Sequence, residues 1–194
     1  MYKGLYDSFA ERWCHEGSTI WLYSDPHFGD EEMKYIRTNY ISDDEQIKRI
    51  NSKVGKNDVI IFLGDIGNLK CIKRIRGYKI CIVGNHDKGA TKCSRYFNEV
   101  YEGVLIVGPR IILSHEPIYN FPFAVNIHGH DHSHKECNDN MHLNVCAEHI
   151  NYTPVNFFQL IKQGVFKSAV DIHRNTIDNA IKRKGDNKWY SQNI

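Results

Sequence analysis

The stretch "DVIIFLGD", residues 58–65, decides the fold. Five consecutive apolar residues stop abruptly at Gly64 and Asp65. An uninterrupted apolar run of this length is expected of a strand covered on both faces, as in a parallel sheet, rather than of a strand with one wet side. Working outward, "STIWLYSD" at 18–25 and "YKICIVGNHD" at 78–87 repeat the pattern, an apolar run that ends in polar, metal-ligating residue types. Between them, "SDDEQIKRINSKVG" (42–55) reads as a helix, with a Ser cap, early acids and Ile47, Ile50 and Val54 on one face. "NLKCIKRIRG" (68–77) reads as a helix closed by Gly77. Strand–helix–strand–helix–strand implies right-handed crossovers and a largely parallel sheet.

Beyond residue 100 the chain changes character. "YEGVLIVG", "RIILSHEP", "AVNIHGHDH" and "MHLNVCAE" predict short strands separated by turns, forming a second, mixed or antiparallel sheet. "GVFKSAVDIHRNTIDNAIKRKG" at 164–185 predicts a last helix. The expected fold class is α/β, two packed mixed sheets flanked by helices. The expected organisation is one domain over 1–194, with a core from about 18 to 160, an extension at 1–17 and a C-terminal helix and tail at 164–194.

Composition narrows the class. The 194 residues carry a net charge of +2, which argues neither for nor against nucleic acid. Six cysteines show no C-x-x-C pair, and Cys71 and Cys81 read as small buried apolar residues. The N-terminus lacks a secretory pattern, and no stretch has the length and apolarity of a membrane span. The expectation is a soluble cytoplasmic protein.

Eleven histidines are placed informatively. The apolar runs end at Asp25 and His27, at Asp65, at Asn85, His86 and Asp87, at His115, and at His128, His130 and His132. Carboxyl ends of strands form the functional rim of α/β sheets. Carboxylate, imidazole and amide donors without thiolates suit divalent Mn, Fe or Zn and disfavour a closed structural zinc.

D25-x-H27, G64-D65, G84-N85-H86-D87, His115 and G129-H130-D131-H132 resemble, in order and spacing, the signature of the calcineurin-like metallophosphoesterases. The resemblance runs from about residue 18 to 160 and is nearest to a branch of small bacterial and phage phosphoesterases. It implies a four-layer αββα sandwich and two divalent ions, Mn first, with Fe, Zn or Ni as alternatives. Asp25, His27, Asp65 and His132 would hold one ion, and Asp65, Asn85, His115 and His130 the other, with Asp65 bridging. His86 would contact the scissile phosphate and protonate the leaving group, and Asp87 would orient His86. The implied activity is hydrolysis of phosphate esters, diesters favoured, by metal-activated hydroxide. A phosphomonoesterase or nucleotide phosphatase and a silent protein-binding scaffold are the alternatives. The expected partner is a small phosphate ester or nucleotide; nucleic acid is not indicated, nor is a membrane.

Other features receive structural readings. The basic run Lys70–Lys79 is expected to be a solvated helix face, and Tyr119, Phe121 and Phe123 to pack in the core. His134, His142, His149 and His173 are expected at the surface or in packing, and the basic "IKRKGDNK" at a frayed end.

Overall fold

Strand β2 (Val59–Phe62) is buried along its whole length, as its unbroken apolar sequence requires. In this computed structural model, which describes residues 13, 15–108, 110–133, 139–168, 177 and 179–182, it lies at the centre of a five-stranded sheet. On one side β2 pairs in parallel with β1 (Ile20–Tyr23), in the register Leu22 to Ile61. On the other it pairs in parallel with β3 (Tyr78–Ile82), which in turn pairs in parallel with β4 (Glu99–Tyr101). The second sheet has the order β5 (Leu105–Gly108), β6 (Ile111–Leu113), β7 (Val125–His128), β8 (His142–Asn144). Its first pairing is antiparallel and the next two parallel, so it is mixed.

Alternation along the strands builds two apolar layers. Ile20, Leu22, Val59, Ile61, Ile80 and Ile82 meet Leu105, Val107, Leu113 and Ile127 of the second sheet. On the opposite face, Tyr23, Ile60, Phe62 and Cys81 meet Ile47 and Ile50 of a helix, Val54 at its C-cap, and Cys71, Ile72 and Ile75. That helix, the second of the described chain after α1 (Met33–Ile36), is α2 (Asp43–Lys53). Its Ser42 side chain accepts the Glu45 N–H, the cap foreseen in the sequence. Cys71 and Cys81 are buried thiols, as their apolar surroundings in the sequence suggested.

Some elements differ from the sequence reading. Residues 69–74 form a 3₁₀ helix (Leu69–Arg74) rather than an α-helix. A single turn, α3 (Ala90–Cys93), follows the third strand. The segment after residue 150 adds β9 (Val155–Asn156), antiparallel to β1 at the edge of the first sheet, and α4 (Phe157–Gln163). Asn156 caps α4, Gly164 closes it in the left-handed region, and Leu160 is buried in the inter-sheet core. The expected last helix is described only in part: Val165–Ser168 is a 3₁₀ turn, and Val170 and His173 lie outside the described residues, as do residues 1–12, Cys14, Cys137, His134 and the final twelve. Tyr119 and Phe121 are exposed, contrary to the core position expected of them, because their loop leaves the sheet and Tyr119 stacks outside on His142. No described helix is long and apolar enough to cross a membrane.

Candidate metal centre

The ends of β1, β2, β3, β6 and β7 converge because the two sheets are stitched together just past β1. Ser24 pairs with Cys146, and the Ser24 N–H donates to the Val145 carbonyl at 3.1 Å. The chain then leaves β1 through Asp25 and His27, both at positive φ (54° and 46°). Asp65 (53°) and His130 (68°) share this left-handed conformation, so four of the seven described non-glycine residues at positive φ carry candidate ligands. Such backbone is uncommon outside glycine, and its clustering marks a site where side chains are aimed by the fold. Two glycines permit the approach of the loops. A Cβ on Gly84 would lie 2.3 Å from Asp65 Oδ1, and one on Gly129 would lie 2.1 Å from Asp25 Oδ2.

Each buried aspartate divides its two oxygens between different tasks. Asp25 Oδ2 accepts from Ser24 Oγ (2.5 Å), the His130 N–H (2.9 Å) and Cys146 Sγ (3.2 Å). Its Oδ1 has no hydrogen-bond partner and faces His132 Nε2 at 3.5 Å and His27 Nε2 at 3.9 Å. Asp65 Oδ1 accepts the His86 N–H at 2.9 Å. Its Oδ2 faces His115 Nε2 at 3.4 Å and His27 Nε2 at 3.6 Å. A buried carboxylate oxygen and a buried imidazole nitrogen without partners are costly, which makes Asp25 Oδ1 and His27 Nε2 evidence for a bound cation. Two donors held about 2.1 Å from one ion lie roughly 3.0–3.4 Å apart, close to these separations.

The donors form two groups that can hold a metal: Asp25, His27 and His132, and Asp65, His115 and His130. In the second group, Asn85 Oδ1 lies 2.7 Å from His115 Nε2 and 3.1 Å from His130 Nδ1, and the two imidazole nitrogens are 3.2 Å apart. The structure thus brings together all seven residues named as ligands from the sequence.

Backbone acceptors fix the imidazoles. The Leu63 carbonyl, which can only accept, holds the His115 Nδ1–H at 2.8 Å and turns Nε2 toward Asp65. Burial pulls the His115 pKa down, but Asp65, Asp25 and the Leu63 carbonyl outweigh it and raise the ring to about 9. Nε2 therefore sits where positive charge is stabilised, be it a proton or a metal. Burial pushes Asp65 up, yet the interaction with His115 and the bond from the His86 N–H outweigh it and leave its carboxyl below the ordinary value. His27 is lowered by burial despite both aspartates, and so offers a free lone pair.

Behind His132 lies a buried network absent from the sequence reading. Glu148 Oε1 accepts from His132 Nδ1 at 2.5 Å, and Glu148 Oε2 pairs with Arg37 Nε at 3.1 Å. Arg37 also donates to the Asp25 carbonyl at 2.5 Å and stacks on Tyr152. Tyr23 and Gln46 continue the chain to the Pro26 carbonyl. Burial raises Glu148, but His132 and Arg37 outweigh it and hold it ionised. A carboxylate behind an imidazole fixes its tautomer and strengthens it as a ligand. Cys146 and Glu148 also form a third potential donor group with His132, in which Glu148 Oε1 accepts from His132 and Oε2 is in an ion pair with Arg37 but accepts no hydrogen bond.

His86 is exposed at the mouth of the site, with its ring centroid 5.7 Å from that of His27. Asp87 has a different task from the one expected of it. Its carboxylate accepts the N–H groups of Asp65 (3.0 Å), Gly84 (2.9 Å) and Ile66 (2.8 Å), so it ties two loops together rather than holding the His86 ring. His128 is wholly buried, with Nδ1 2.8 Å from the Gly129 carbonyl. Asp131 Oδ1 accepts from the Ser133 N–H at 2.9 Å and from Ser133 Oγ at 2.8 Å.

No family model matches the chain. No curated protein matches it. Among solved structures, a protein of unknown function from Aquifex aeolicus, AQ665, is similar, with a TM-score of 0.65 and 25% identity over 76% of this chain and 100% of that one. That likeness agrees with the α/β fold of two packed mixed sheets, and the grouped His and Asp donors make this chain one that can bind metal ions.

Proposed function

We propose that this protein is a phosphoesterase of the calcineurin-like kind that works with two divalent ions and favours phosphodiesters. The observation that carries the reading is the division of labour in Asp25 and Asp65. Each has one oxygen consumed by protein donors and one turned to imidazole nitrogens, beside a solvent-facing histidine. When bound, two such ions, Mn first with Fe, Zn or Ni as alternatives, would polarise a phosphoryl oxygen and acidify water for attack on phosphorus.

On this reading Asp25, His27, Asp65 and His132 hold one ion. Asp65, Asn85, His115 and His130 hold the other, with Asp65 shared. A water oxygen bonds to phosphorus as the bond from phosphorus to the leaving oxygen breaks. His86, free of the donor groups, gives its proton to that leaving oxygen. Asp87 keeps the His86 loop against Asp65 through the backbone. Arg37 supports the diester preference, because its guanidinium is spent on Asp25, Pro26 and Glu148 and so is not open to fork a terminal phosphate.

The test is a screen of cyclic nucleotides, linear diesters, monoesters and nucleic acids against Mn-loaded protein. Turnover with diesters ahead of monoesters is expected. Protein with both ions bound that cleaves no phosphate ester would refute the proposal.

A further inference from the structure

Beside His86 the surface opens into a cleft of about 780 Å³, within the range that small ligands occupy. Four cations line it: Lys70 from the 3₁₀ helix, Lys88 from the loop after His86, and Lys92 and Arg95 from α3 and the turn beyond it. All four are exposed, and none makes an ion pair among the described residues. Elsewhere on the surface Lys34, Lys48, Arg49 and Arg74 are paired with Glu31, Glu45 and Asp44, while Lys53, Lys56, Lys73 and Arg76 make no ion pair among the described residues but lie outside the cleft lining. Two acids also line the cleft: Asp30 accepts the Glu32 N–H and approaches His27, and Glu31 pairs with Lys34. The four cations outnumber the two acids of the lining, which leaves the cleft net positive and favours an anionic ligand.

We propose that this cleft binds a second phosphate of the substrate, carried on the leaving-group side of the scissile bond. The placement follows from His86. It lines the same cleft, and the group to which it gives a proton is the one that departs toward Lys70, Lys88, Lys92 and Arg95. The inference therefore rests on the phosphoesterase reading and refines its substrate class to small esters with at least two phosphates. A small ligand is favoured over a nucleic-acid strand because the site is a bounded cleft of about 780 Å³ in a chain of net charge +2. Tyr96, under Lys73 at 5.3 Å, supplies an apolar wall for the organic part.

Two measurements on wild type and a Lys92→Glu/Arg95→Glu variant test this. Neither residue is among the ligands or the proton donor. First, calorimetry follows inorganic tripolyphosphate binding to metal-stripped protein at low salt. Loss of two charge-assisted contacts should weaken binding roughly tenfold or more in the variant. Second, kcat/KM is compared for the dinucleotide TpT and its 5′- and 3′-phosphorylated forms. One phosphorylated form should be preferred by wild type on the order of tenfold, and the variant should lose that preference while cleaving TpT as before. Absence of turnover with tripolyphosphate binding intact would refute the phosphoesterase reading and leave the anion site standing. Equal tripolyphosphate binding by both proteins, or a variant impaired equally on TpT and its phosphorylated forms, would overturn the second-phosphate site. A twenty-nucleotide strand that binds the stripped protein far more tightly than tripolyphosphate, through the same cations, would replace the small ligand with nucleic acid and overturn it too.

Discussion

The two halves of the candidate centre are built from the same residue types but supported differently. Asp25 and His27 are buried, and His132 leans on Glu148, itself held by Arg37. In the other half Asp65 and His115 are buried, but Asn85 and His130 are exposed, and among the described residues no carboxylate backs His130. One half is thus preorganised from behind by side chains, and the other is open to solvent and to a substrate. On the two-ion proposal the Asp25 half would hold its ion more tightly, and the Asn85–His130 half would exchange its ion and meet the phosphate.

The largest effect should come from the residue common to both halves. Asp65→Asn removes the oxygen facing His27 and His115, and activity should fall beyond the roughly 10²–10³-fold that loss of one transition-state donor costs. Activity assayed alongside metal content checks this; an Asp65→Asn protein with near-normal turnover would erase the distinction between halves.

His86→Asn acts outside both halves. It should leave metal content unchanged and lower the rate by about 10²–10⁴-fold on diesters with alkoxide leaving groups. The loss should shrink for a nitrophenyl ester, whose leaving group departs as a stable anion. Equal impairment on both substrates would show that His86 positions phosphate and is not the proton donor.

Glu148→Gln sharpens the comparison itself. It keeps the shape but weakens the support behind His132, so affinity at the Asp25 half should drop about 10–100-fold while the other half is little changed. Competitive titration with a coloured chelator resolves the two. A matching loss in both halves, or in neither, would deny Glu148 its selective role.

Removing metal should have the least effect on the fold. The two apolar layers close without the site, so circular dichroism should hardly change on chelation. The melting temperature should fall by roughly 5–10 °C, the shift expected from losing ligand at about a hundred times its Kd. Global unfolding by a chelator would mean that the loops around the donors carry the fold.

The sequence made the five strand ends legible because each apolar run stops at a donor residue, and continuous runs such as "VIIF" announce strands covered on both faces. The candidate donors were readable for the same reason, and the resemblance to the calcineurin-like signature selected the seven proposed ligands from among them. The short elements were not: β9 has two residues and is defined by pairing with β1, which leaves no periodicity to read. Helix α4 did carry a signal, Asn156 at its start and Gly164 at its end, overshadowed by the longer apolar pattern after 164. Glu148 and Arg37 were invisible because their meaning lies in a contact 111 positions apart in the chain, between Arg37 and Glu148. Asp87 shows the opposite difficulty. Its place beside His86 suggested a side-chain partner, whereas its oxygens serve backbone N–H groups of two loops.

The central claim is that the two halves are two metal sites sharing Asp65. Its most direct test is a Mn²⁺ titration of chelator-stripped protein, followed by electron paramagnetic resonance and by elemental analysis of the active, fully loaded sample. The account predicts two ions per chain, bound with unequal affinities, the second addition producing the spin coupling of ions bridged by a carboxylate. One ion or none in a fully active sample, or two ions without coupling, would contradict it.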